Sequence, residues 1–182
     1  MRGLLRWALI AGISLALIVA IAFAVGAALP AKIQVTRSVV INRPPENVFW
    51  VLNDYQNIPL WHPQFRGAAV LTNPGDKPVR WRATYTDGLK ADIEVSEDNP
   101  PARYSERIAD PNLPFSGYWT LEMERHDLTT KVTAHCTSEL HRPLDRLLVR
   151  LFVKPNVDVE HILAGLKRRV ETATITPTAA TS

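Results

Sequence analysis

Six segments that alternate apolar and polar residues follow one another between residues 67 and 140, and no other feature narrows the fold as far. They are "GAAVLT", "VRWRATYT", "LKADIEVSE", "ARYSERIA", "FSGYWTLEMER" and "TKVTAHCTSEL". Between them stand "NPGDKP", "DG", "DNPP", "DPNLP" and "HDL", whose Gly, Pro, Asn and Asp residues suit turns. Successive side chains point to opposite faces of a strand, so Trp81, Ala83 and Tyr85 share one face and Arg80, Arg82 and Thr84 the other. In the same way Leu89, Ala91, Ile93 and Val95 oppose Lys90, Asp92 and Glu94. Trp119, Leu121 and Met123 oppose Tyr118, Thr120 and Glu122. Such strands on short turns predict an antiparallel sheet with one apolar face.

That face needs a cover. "NVDVEHILAGLKRRVET" (156–172) sets Val159, Ile162, Leu163, Leu166 and Val170 at helical spacing, which predicts a long C-terminal helix over the sheet. Ahead of the six segments, the β-branched "IQVTRSVVIN" (33–42) predicts a first strand. "RPPENVFWVLND" (43–54) predicts a short helix, with Pro45 in the first turn, Glu46 at the positive end of the dipole, and Val48, Val51, Leu52 and Tyr55 on one side. Pro59 and Pro63 bracket a second, very short helical turn around Ile58 to Trp61. The fold class is α+β, with about seven strands in one curved antiparallel sheet.

The ends of the 182-residue chain differ from this middle. From Trp7 to Leu29 no residue is charged, a run longer than the roughly 20 residues that span a bilayer core. Residues 1–31 therefore read as an uncleaved transmembrane anchor, because the apolar region of a secretory signal is only about 7–15 residues long. Arg2 and Arg6 favour a cytoplasmic N-terminus and an extracytoplasmic domain, against a weaker pull from Lys32, Arg37 and Arg43. Residues 32–171 form the folded domain, and "TATITPTAATS" (172–182) reads as a frayed tail. A net charge of +3 favours anionic headgroups as neighbours. No aromatic-basic ladder suggests nucleic acid. The single cysteine, Cys136, excludes an intramolecular disulfide and any multi-cysteine metal site.

Several motifs resemble one superfamily. "SVVINRPPENVFWVLNDYQNIPLWHP" is similar to the opening of helix-grip (SRPBCC) domains, in which an apolar strand leads into a Pro-x-x-x-Val-(Phe/Trp) helix, an Asp-Tyr stretch and a Pro-x-Trp-x-Pro turn. "SGYWTLEME" resembles their Gly-x-Trp strand, and "ILAGLKRRVE" their last helix. The resemblance runs from Val35 to Glu171 and points to the polyketide cyclase/dehydrase-like branch of a superfamily that also holds START lipid-transfer domains and pollen allergens. It implies a cavity between the sheet and the long helix, suited to a hydrophobic or lipid-like small molecule. Its cavity residues would be those of inward phase: Trp81, Tyr85, Ile93, Tyr104, Glu106, Trp119, Leu121 and Met123. Tyr55, Ile58 and Trp61 would form a gate at the short helical turn. No cofactor is implied.

Catalytic chemistry leaves little trace. There is no nucleophile elbow, phosphate loop or His-x-x-x-His pair, and the five histidines lie scattered in polar phases or turns. His62 is expected on the solvent side and no metal site is expected. Glu106 is the one weak candidate for an acid, since burial beside Tyr104 and Ile108 would raise its pKa. It would serve the alternative reading, a cyclase or dehydratase in the same cavity. A third reading is a non-catalytic interaction module with its aromatics filling the core. Finally, "HRPLDRLLVRLFVK" (141–154) aligns Leu144, Leu147, Leu148, Leu151 and Phe152 beside Arg142, Arg146, Arg150 and Lys154, the pattern of a helix lying on a membrane surface.

Overall fold

The structure is a computed structural model, and it describes residues 2–153 and 155–173. Lys154 and residues 174–182 of the tail lie outside the described residues. The order is α1 (Arg2–Ala28), β1 (Lys32–Ile41), α2 (Pro45–Asn53), a 3-10 turn (Tyr55–Leu60), β2 (Phe65–Val70), β3 (Arg80–Tyr85), β4 (Lys90–Asn99), β5 (Arg103–Ile108), β6 (Phe115–His126), β7 (Thr129–Leu140), α3 (Pro143–Phe152) and α4 (Pro155–Thr172). The strands form one seven-stranded antiparallel sheet in the order β1-β7-β6-β5-β4-β3-β2. Alternation decides which face turns inward: Trp81, Ala83, Ala91, Ile93, Val95, Leu121 and Met123 are all buried. Register irregularities at Phe65/Gly67 and Val95/Glu97 add local bend to the sheet.

Helix α4 packs across β1 and β7, with Val159, Ile162, Leu163, Leu166 and Val170 buried along one side. Each such burial contributes about 1.5–3 kcal/mol. The 3-10 turn presses against α4 at Gly165, where an added Cβ would stand 2.1 Å from the carbonyl oxygen of Trp61. Only glycine permits that approach.

Helix α1 is apolar along Leu9–Ala28, with mean hydropathy 2.7, and almost all of that surface is exposed. It is long enough to cross a membrane, a description that an anchor and a signal sequence share. Its last turn touches the domain. Gly26 is buried against α3, and a Cβ there would lie 2.1 Å from the carbonyl oxygen of Pro143. Helix α3 lies beside this end of α1 with Leu148 53% and Phe152 78% exposed, so its leucines do not pack into the core.

Candidate functional site

The aromatic segment 54–65 is a packed corner. Tyr55 stacks on Trp81 at 6.2 Å between ring centres, and Phe65 meets Trp81 edge-on at 5.7 Å and Tyr85 at 4.8 Å. His62 stacks on Phe65 at 3.9 Å with an interplanar angle of 11°. The expected solvent-side position of His62 is therefore corrected: the residue is buried, with 9% of its surface exposed. The cause is local. The His62 N–H donates to the Ile58 carbonyl, and Trp61 docks on Gly165, so the chain turns the imidazole inward. Burial without an ionic partner holds its pKa down to about 3, and the ring is neutral at physiological pH.

Beneath this corner the interior is not filled by its aromatics. A cavity of about 300 Å³ lies between the sheet and α4, with Ile33, Val35, Ile93, Trp119, Leu140 and Ile162 among its apolar lining. Tyr85, Glu106, His62 and Cys136 are among its polar lining, with Gln64, Arg107 and Asp158 also on its walls. Its rim reaches α3 through Val149 and Val153, and Val153 is 42% exposed. A groove of about 390 Å³ continues from that rim, sharing Ile33, Val35, Leu140, Val149 and Val153, and runs to Leu29 and Pro30 at the end of α1. Arg146 and Arg150 border the groove. Arg146 donates to the carbonyl of Leu140, and among the described residues neither arginine pairs with a carboxylate.

A second, much smaller space of about 20 Å³ sits deeper, against the aromatic corner. Ile58, Trp61, His62, Trp81, Tyr104, Glu106 and Leu121 all line it, and Glu106, His62, Phe65, Trp119 and Ile162 line both spaces. Glu106 accepts a hydrogen bond of 2.9 Å from the Tyr104 hydroxyl. Burial pushes its pKa up to about 7, against smaller opposing effects of Tyr104 and the Trp81 indole. The carboxyl is partly accessible, but what it meets is the cavity wall. At neutral pH it is present both with and without its proton, so it can give or take one. Burial also raises the Tyr85 hydroxyl and the Cys136 thiol to about 12, which leaves that thiol a poor nucleophile. Among the described residues no group of three His, Cys, Asp or Glu side chains could hold a metal ion.

The expected cavity residues divide in three. Tyr85, Ile93, Glu106 and Trp119 line the main cavity. Trp81, Tyr104 and Leu121 line the small one, as do Ile58 and Trp61 of the expected gate. Met123 and Tyr55 are buried in the core and line neither. Sequence reasoning missed His62, Phe65, Val149 and Val153. It also passed over Ile33, Val35 and Ile162, although the phase of β1 and the apolar face of α4 carried that signal.

Comparison with known proteins agrees with this architecture. No curated protein matches the sequence. A START superfamily protein from Mycobacterium smegmatis has a similar structure at 17% identity and TM-score 0.60, covering 76% of this chain and 97% of that one. A Thermus thermophilus protein is similar at 24% identity and TM-score 0.65, covering 79% of this chain and all of its own (100%). The di-domain ARO/CYC protein BexL from the BE-7585A biosynthetic pathway is similar at 14% identity and TM-score 0.61, over 79% of this chain and 51% of that one. These likenesses establish the helix-grip fold. Residues 32–171 match the family described as "Polyketide cyclase / dehydrase and lipid transport". The chain belongs to that family, within the SRPBCC superfamily.

Proposed function

We propose that this protein is a membrane-anchored binder of a hydrophobic or lipid-like small molecule, which it holds between the sheet and α4. The observation that carries the reading is the continuity of the cavity with the groove that ends at Leu29 and Pro30, beside the apolar helix. A ligand leaving a bilayer there would pass from lipid to protein along Ile33, Val35, Leu140, Val149 and Val153, with Lys32, Arg146 and Arg150 on the same groove. Each Å² of apolar ligand surface kept from water is worth about 25 cal/mol. Residues 1–31 act as the retained anchor, which agrees with the buried contact between Gly26 and Pro143. Helix α3 rests its exposed leucines in the interface, with Arg142, Arg146 and Arg150 toward anionic headgroups. The two N-terminal arginines favour an extracytoplasmic domain.

Native mass spectrometry on the detergent-extracted full-length protein, followed by organic extraction, tests this. The expected result is an intact N-terminal segment and a discrete bound apolar molecule. An apo mass that persists after incubation with mixed membrane lipids overturns the reading.

Glu106 favours a second reading, a cyclase- or dehydratase-like enzyme that uses the same cavity. The carboxyl faces the cavity with a pKa of about 7, where acid-base work is efficient. Under this reading Glu106→Gln folds, retains ligand and loses turnover. Under the binding reading the same variant retains ligand and loses nothing.

A further inference from the structure

Helix α3 carries two stripes. Leu144, Leu148 and Leu151 form an exposed apolar one. The other is Arg146, Val149, Arg150 and Val153, the i, i+3, i+4 and i+7 positions of one face, and all four line the groove. The two valines continue into the main cavity, and the two arginines do not. Lys32 stands on the groove as well, so the groove has three cations and, among the described residues, no Asp or Glu. Like charges four residues apart on a helix repel one another, and among the described residues neither arginine pairs with a carboxylate. Arg146 is held in the groove wall by its hydrogen bond of 2.9 Å to the Leu140 carbonyl. The main cavity has the reverse charge. Glu106 and Asp158 line it, and its one cation among the described residues, Arg107, donates to Glu94 on the outer face.

We infer that the bound molecule is an anionic amphiphile, with its carboxylate or phosphate head in the groove on Arg146 and Arg150 and its hydrocarbon tail in the main cavity. This rests on the cavity-binding reading above and names the ligand's head and the direction in which it lies. A guanidinium presents paired N–H donors that match either oxyanion. Lys32 adds charge from β1, but it also borders the outer face, where Glu139 is its cross-strand partner, so the arginines dominate. The reversed orientation is disfavoured, because an anion inside would lie beside two carboxyl groups with Arg107 already paired. A cationic head would meet three like charges in the groove. Volumes of about 300 and 390 Å³ put each space within the roughly 300–1,000 Å³ of small-molecule sites.

The test uses the full-length protein in an uncharged detergent with dodecyl phosphate, dodecanoate, dodecanol and dodecyltrimethylammonium. Inorganic phosphate is a further probe and carries no tail. Native mass spectrometry follows each titration. Affinities are compared between the parent and Arg150→Gln, so uptake of a probe by the micelles cancels. Arg150 is exposed, so the substitution spares the fold. It should weaken both anionic amphiphiles about fivefold more than dodecanol, and Arg150→Lys should restore part of that loss. Inorganic phosphate should not bind at concentrations that saturate the protein with dodecyl phosphate. Failure of every dodecyl probe to bind the parent would overturn the cavity reading and this inference together. Three results overturn this inference alone while dodecanol still binds. They are anionic amphiphiles as insensitive to Arg150→Gln as dodecanol is, tighter binding of dodecyltrimethylammonium than of dodecyl phosphate, and inorganic phosphate binding as tightly as dodecyl phosphate.

Discussion

Glu94 and Glu106 lie on adjacent strands of one sheet, yet the two faces treat the same side chain in opposite ways. On the outer face Glu94 is the register partner of both Arg80 and Arg107. Arg80 Nε donates to it at 2.7 Å and the Arg107 guanidinium at 2.6 Å, so hydrogen bonding to Arg107 and then Arg80 lowers its pKa. Arg82 and Asp92 form a like pair at the next position on the same face. On the inner face Glu106 has a tyrosine and no cation, and its pKa rises. Its neighbours Trp61 and His62 carry buried nitrogens that no protein atom pairs among the described residues. The outer face completes the Glu94 and Asp92 charges from their own cross-strand arginines, which makes this patch self-sufficient. The inner face withholds partners, and that is where a ligand has something to supply.

Acid should break this contrast most severely, through His62. Its folded-state pKa of about 3 lies below the ordinary value of 6.5, so the cost of keeping the ring neutral grows as pH falls from 6.5 toward 3. At pH 4 it amounts to about 3 kcal/mol. His62→Phe should therefore be less acid-sensitive than the parent when urea midpoints are compared at pH 4 and pH 7. Equal sensitivity would mean that the ring is solvated.

A smaller effect of opposite sign belongs to Glu106. Its folded pKa of about 7 exceeds 4.5, so ionising it costs stability above pH 4.5, increasingly up to pH 7 and constantly beyond. Glu106→Gln should gain about 2 kcal/mol at pH 8 and nothing near pH 4.5, a value reduced for the access the cavity gives it. A gain that does not vary with pH would show that the carboxyl is not desolvated.

The outer face provides the smallest effect. Glu94→Gln should lose about 1 kcal/mol at pH 7, since both arginines retain solvent. Its pKa is lowered, so this contribution is present above pH 4.5 and disappears as pH falls through the folded value. Double-mutant cycles with Arg80 and Arg107 measure it, and a coupling of zero would remove the outer face's claim to self-sufficiency.

How far the sequence could be read follows from where periodicity holds. Trp81, Ile93 and Leu121 sit where the two-residue alternation holds, and it assigns each to the inner face, as found. Val159, Leu163, Leu166 and Val170 were equally legible at helical spacing. His62 was not, because Pro59 and Pro63 break both periods and the orientation of the turn depends on Gly165, about a hundred residues away along the chain. Val149 and Val153 were hidden for a different reason. The leucine stripe of α3 reads as a face laid on a membrane surface, which draws attention away from the two valines outside the stripe that line the cavity. The surroundings of Glu106 left no trace in the sequence, since alternation places a side chain on a face and says nothing of what meets its polar atoms.

Only Leu29, Pro30 and Ala31 separate α1 from β1. Fully extended, three residues span about 10 Å. With α1 seated in a bilayer, the domain cannot travel farther from that surface than roughly its own diameter, about 30 Å for a fold of this size. So anchored, it would have no reach to ferry cargo across an aqueous gap to another membrane. Under the anchored reading, whatever occupies the cavity would be collected and surrendered at the same patch of membrane, and any acceptor would have to come to it.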